Sequence, residues 1–169
     1  MTMQIKLYSL DRTLRHFLAA FVFLLMIATL TGLAFLYQTT QFNKTGVTER
    51  YNGSKIEAGD GLEIPENYPK PLQELLLNTH NHLFGFAFIF FCLGFIFYFN
   101  SVISGTWKYI LMVDPFVSAL LTFSGIWAMR FIHPHFVFVV FASALFTYGA
   151  LFMMGAILIY ELLFKKLDT

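Results

Sequence analysis

The sequence predicts an all-α integral membrane protein, a bundle of four transmembrane helices with a loop of about 33 residues outside the membrane between helices one and two. Composition is the first reason. Of the 169 residues 57% are hydrophobic, 12% are charged and 22 are phenylalanine, and the mean hydropathy is +0.66. A soluble domain of this length has too little interior to hide that much apolar surface, so lipid is part of the solvent. Distribution is the second reason, because the apolar residues gather in four runs, near the roughly 20 residues that cross ~30 Å of hydrocarbon as a helix. Each run must also satisfy its own backbone hydrogen bonds where water is absent, which selects helices.

The whole chain, 1–169, reads as a single transmembrane domain with spans at about 17–37, 75–99, 116–132 and 136–164. The first, Phe17 to Tyr37, is longer than a signal-peptide core and lacks a small-x-small cleavage site after it, so it reads as an uncleaved anchor. Residues 38–70 form the only sizeable polar region. Gly46, Gly53, Gly59 and Gly61 with Pro65 and Pro69 predict an ordered cap with little regular structure, at most a short hairpin. Pro71 suits a first helical turn, so the second helix is expected to start there and run on to Phe99. Before the third run, Asp114-Pro115 reads as an N-cap followed by a proline at the first helical position. The fourth run ends at Lys165-Lys166.

Four crossings put both termini on one side. Lys6, Arg12, Arg15, Lys108, Lys165 and Lys166 fall on that side, against Lys44, Arg50, Lys55, Lys70 and Arg130 on the other, where Glu49, Glu57, Asp60, Glu63 and Glu66 also lie. Acidic residues count little in orientation, so the basic residues predict a multi-pass protein of the bacterial inner membrane with both termini cytoplasmic. A net charge of +1 gives no reason to expect a nucleic-acid partner. Cys92 is the lone cysteine, which excludes an internal disulfide and a C-x-x-C motif.

The candidate site is a set of histidines. Thr79-His80-Asn81-His82 lies near the start of helix two and His133-Pro134-His135 in the turn between helices three and four, at one face of the membrane and at similar depth; His16 lies on the opposite side. Residues two apart on a helix point ~200° from each other, so His80 and His82 cannot chelate one ion together. One is expected to face the bundle and the other lipid or the cap, with Asn78 placed to orient His82. One imidazole from each pair would hold a haem b between helices, with Arg130 meeting a propionate. Three or four imidazoles, from His80, His82, His133 and His135, would instead complete a copper or zinc shell. Against both stands the plain reading, in which interfacial histidines bond to headgroups, loop backbone or water.

Other chemistries find no support. Glu161, one turn before Lys165, reads as an i,i+4 pair at the interface, which leaves the bundle centre without an ionisable residue and argues against an ion or proton pump. There is no G-x-S-x-G elbow, no H-E-x-x-H pair and no P-loop. Gly32, Gly85, Gly94, Gly125, Gly149 and Gly155 permit close helix contacts.

From Arg50-Tyr51-Asn52-Gly53-Ser54, through Gly61-Leu62-Glu63-Ile64-Pro65, to Leu75-Leu76-Leu77-Asn78-Thr79-His80-Asn81-His82-Leu83-Phe84, the order of motifs resembles a family of small uncharacterised bacterial four-helix membrane proteins with a T-H-x-H-x-F start to helix two. The resemblance implies four helices and an outer loop but no activity. The family's pattern has a histidine before the loop tyrosine where this chain has Arg50, so the loop is not expected to supply a metal ligand. The reading that follows is a small membrane subunit or accessory component of an electron-transfer assembly, not an enzyme on its own, with the histidines holding haem b or a transition metal. The competing reading is a non-catalytic structural subunit that packs against larger membrane partners.

Overall fold

A computed structural model describes residues 6–54 and 65–165. Lys55, Glu57, Gly59, Asp60, the Gly61–Ile64 stretch and Lys166 lie outside the described residues. The described chain is all-helical: α1 (Arg12–Thr40), α2 (Lys44–Asn52), α3 (Leu72–Tyr98), α4 (Gly105–Phe131) and α5 (Val137–Leu163), with short 3-10 turns at Leu7–Ser9 and Pro134–Phe136. Four of these helices are long and apolar enough to cross a membrane. They pack as the expected four-helix membrane bundle.

The helix starts follow capping chemistry. Asp11 accepts from the amides of Thr13 and Leu14 and so opens α1 five residues before the apolar run begins. Pro71 is the cap residue of α3, in line with the sequence reading. Arg15 near the start of α1 donates to the carbonyl of Leu162 (2.8 Å) near the end of α5, which puts the two ends of the chain at the same end of the bundle.

Two sequence expectations are corrected. Residues 44–52 form a helix where irregular cap was expected. Its start is fixed by Asn43, which accepts from the Gly46 amide at 2.7 Å, and it ends at Gly53, whose φ is +86°. Gly46 reads as a turn residue but serves a close approach instead, since a Cβ there would overlap the Thr40 carbonyl oxygen at the end of α1. The third span starts at Gly105, not at residue 116, and Asp114-Pro115 lies inside α4. Starting the helix at Pro115 would leave first-turn amides and the backbone just before them unbonded in hydrocarbon. Carrying the helix through Pro115 forfeits one backbone bond, which is the smaller cost.

Polar side chains stitch the interior. Between α4 and α5, Thr122 Oγ1 lies 2.8 Å from Ser143 Oγ, and one turn on Thr147 Oγ1 lies 2.8 Å from Ser118 Oγ. Such pairs in membrane bundles contribute ~0.6 kcal/mol each, and here they add register to close packing. Gly155 of α5 provides the contact with α1, lying directly against the Met26 sulfur. The main apolar core, with Val22, Phe90, Leu93, Phe97, Leu151, Met154 and Leu158, runs between α1, α3 and α5.

Glu161 departs most from its sequence reading. It is fully buried, and its carboxylate accepts from the Ser101 amide (2.8 Å) and the Ser101 hydroxyl (2.7 Å) in the α3–α4 connection. Lys165 reaches the same Ser101 hydroxyl at 2.9 Å without pairing with Glu161, and Arg15 covers the carbonyls of Glu161, Leu162 and Lys165. The expected i,i+4 pair is replaced by a lock that joins three segments. The reason is register: residue 161 lies on the buried stripe of α5, beside Leu158 and Leu162.

Candidate histidine site

Both histidine pairs lie at the end of the bundle opposite Glu161, and His16, near the start of α1, lies at the Glu161 end. α2 covers the histidine end. Its Val47 is buried against Leu75, Phe123, Ile126 and Met129, and Asn52 donates to the Met129 carbonyl at 3.1 Å. Lys44 sits over the Phe138 ring (4.2 Å) and Arg50 over Phe35 (5.2 Å), so the cap is pinned to α5 and α1 by cation–π contacts. Burial pushes the Tyr51 phenol above its ordinary value, while neighbouring Arg50 pulls it the other way by charge and by hydrogen bond.

His80 and His82 diverge as helical geometry requires. His80 points outward and stacks on Phe84, with centroids 6.4 Å apart. His82 turns toward α4, 5.7 Å from the Phe123 ring, and its Nδ1 bonds the Asn78 carbonyl at 2.8 Å. Asn78 therefore orients the ring through its backbone, and a proton on Nδ1 would leave Nε2 with its lone pair. The second pair folds on itself. The rings of His133 and His135 stack with centroids 4.5 Å apart, their Nδ1 atoms are 2.8 Å apart, and His133 Nδ1 also accepts from the His135 amide.

The pairs share an end but not a level, which corrects the expectation of similar depth. His82 is level with Phe123, and the eight residues from there to Phe131 at the end of α4 span ~12 Å of helix below the His133 turn. His82 lies ten residues, or ~15 Å, along α3 from its start, whereas His133 follows just beyond the end of α4. Among the described residues, no three or more His, Cys, Asp or Glu side chains gather where they could hold a metal ion.

Sequence reasoning missed the polar tie beside these histidines. Trp127 of α4 donates through Nε1 to Thr79 Oγ1 at 2.9 Å, and Thr79 in turn donates to the Leu75 carbonyl. The signal available was the tryptophan itself, whose N–H seeks an acceptor when half-buried. Around this tie lies an apolar groove of about 410 Å³ lined by Thr79, Leu83, Phe123, Trp127, Phe131 and Ile132, with none of the four histidines in its wall. Arg130 points elsewhere. Its guanidinium lies 5.4 Å over Phe131 and its Nε is buried with no hydrogen-bond partner among the described residues.

Asp114 also acquires a different setting. Inside α4 it shares a face with Ile110, Val117 and Leu121, all exposed on the outside of the bundle. A carboxyl group therefore lies within a span but on its lipid side, away from the bundle centre, and not at a helix start as its sequence reading had it.

A family model described as a transmembrane helical domain matches residues 41–169. The chain belongs to that family. The match takes in the cap helix α2 and the spans α3, α4 and α5, and starts where α1 ends. No curated protein and no solved structure matches the chain. Membership in this family and the four apolar helices make the chain a multi-pass membrane protein in contact with lipid.

Proposed function

We propose that the chain is a small non-catalytic membrane subunit that packs against larger membrane proteins. The observation that carries this reading is where its aromatic side chains are spent. Phe84, Phe88, Phe91 and Phe95 follow one another at spacings of four, three and four along α3, and each is at least 60% exposed, so they form a ridge on the outside of the bundle. The interior meanwhile uses its hydroxyls, Glu161 and Trp127 in bonds between its own segments. What the bundle offers another protein is its exterior, and a ridge at i±3 and i±4 spacing suits the groove of a neighbouring helix. Native mass measurement on protein extracted in mild detergent is expected to show a hetero-complex that Phe88→Ala/Phe91→Ala releases. A lone monomer under all mild extractions would sink the reading.

A second reading keeps the histidines as ligands in an electron-transfer assembly of the bacterial inner membrane, with both termini cytoplasmic. His82 supports it, because its Asn78 bond leaves Nε2 suited to an iron or another transition metal. Arg130 supports it too, since a buried N–H without an acceptor suits a haem b propionate. His80, His133 and His135 would supply the remaining ligands after a shift of the 133–135 turn, and the T-H-x-H-x-F run from Thr79 to Phe84 would be the family's signature. The absorption spectrum separates the two readings. A Soret band lost in His82→Ala establishes the haem, and a colourless, metal-free preparation excludes it.

A further inference from the structure

Asp114 is an ionisable side chain to which the bundle itself gives no task. It follows the start of α4 at Gly105 by ~13 Å of helix and lies ~10 Å further in than exposed Trp107. A tryptophan on the outside of a span marks headgroup level, so the Asp114 carboxyl faces hydrocarbon. A lysine or arginine at that depth would snorkel back to water, but the single methylene of aspartate is too short to do so. Among the described residues Asp114 makes no hydrogen bond and no ion pair.

Its neighbours on α4 have the pattern of a helix contact. Trp107, Ile110, Asp114, Val117, Leu121 and Ser124 follow one another at spacings of three and four, each exposed or half-exposed on the outside of the bundle. That repeat keeps one seam turned toward a neighbouring helix. One turn beyond Ser124 the seam reaches Ala128, and both of these small residues line the apolar groove beside Trp127. Small residues four apart let a second backbone approach closely inside a membrane.

The carboxyl decides which helix can use this seam. Acyl chains offer it no donor, and a charged group at membrane depth is stabilised by a partner of opposite sign at the same level. A second copy of this chain brings none, because every lysine and arginine among the described residues lies in the first or last turn of a span or outside the spans. We propose that the Asp114 face of α4 docks a transmembrane helix of a different protein, one that carries an arginine or lysine at the depth of Asp114. That protein is the larger membrane partner of the subunit reading, on which this inference rests. The aromatic ridge of α3 supplies contact area, and the carboxyl supplies selection against helices that lack a cation.

The test reconstitutes the full chain in phosphatidylcholine vesicles with labelled polyleucine transmembrane peptides and reads resonance energy transfer between the two. One peptide carries a single arginine ~13 Å from one end, and the other has leucine in its place. The arginine peptide is expected to associate at least tenfold more tightly than the leucine peptide, Asp114→Leu to abolish the difference and Asp114→Glu to keep it. Because the side chain lies outside the bundle, Asp114→Leu alone in detergent is expected to unfold at the parent's temperature or above. Equal association of the two peptides, an undiminished preference in Asp114→Leu, or a lowered unfolding temperature in that variant would overturn the proposal. Transfer between two labelled copies of the chain that Asp114→Leu removes would assign the face to self-association and overturn it as well. A native hetero-complex released by Phe88→Ala/Phe91→Ala but retained by Asp114→Leu would overturn this inference and leave the subunit reading standing. A lone monomer that still prefers the arginine peptide through Asp114 would remove the subunit reading and keep the helix-binding face.

Discussion

The two ends of the bundle treat their polar side chains in opposite ways. At the Glu161 end, a fully buried carboxylate, Ser101, Lys165 and Arg15 bond to one another across α1, α5 and the α3–α4 connection. At the histidine end, the imidazoles lie outside the apolar core and meet aromatic rings, a backbone carbonyl or each other. The first arrangement stores stability, because each polar group has paid for desolvation with a partner. The second leaves donors and acceptors for something else to use. A bundle built this way is locked through a buried carboxylate at one end and leaves its imidazoles outside the core at the other.

Breaking the closed end should therefore cost the most. Glu161→Ala removes both acceptors of Ser101 and leaves Lys165 and Arg15 around an empty buried space, at a loss of about 3 kcal/mol. Glu161→Gln should cost less, because an amide still offers one acceptor. Thermal unfolding in detergent, followed by circular dichroism, measures both. If Glu161→Ala unfolds within error of the parent, the lock is not a source of stability and the contrast between the ends collapses.

The histidine end should respond less, and through the Trp127–Thr79 tie between α4 and α3 rather than through its histidines. Trp127→Phe keeps most of the ring and deletes the bond to Thr79, which should cost about 1 kcal/mol. Thr79→Val should match it, and the double variant should lose no more than either alone if the bond is the whole effect. An additive double variant would mean that the two side chains stabilise the bundle separately.

How much of this was legible depends on whether a residue's role is written in its own neighbourhood. The four spans were, because apolar length against bilayer thickness is a local property. The divergence of His80 and His82 was too, since it follows from helical rotation alone. The cap helix α2 was hidden because its only buried residue is Val47, too little to set a period, and its glycines imitate turns. Asp114-Pro115 misled because the pair is a sound start signal in water, whereas in hydrocarbon the unbonded backbone decides. Glu161 and Trp127 were beyond reach. Their partners, Ser101 and Thr79, lie 60 and 48 residues away, and no local pattern announces them.

The smallest effect expected is pH-dependent and isolates the cap. Tyr51 packs with α2 against the bundle and burial raises its phenol above the ordinary value of 10.0, with the effect of Arg50 opposing it. A raised value means that the folded state holds the proton more tightly than the unfolded chain. The stabilisation is then complete below pH 10 and fades as pH rises from there through the raised value. Other groups titrate in the same window, so the informative quantity is the difference between parent and Tyr51→Phe, which has no proton to lose. That difference should shift against the parent between pH 10 and the alkaline limit of folding. Parallel curves for the two proteins would show that α2 lets water reach Tyr51, and the histidine end would then be more open than its packing implies.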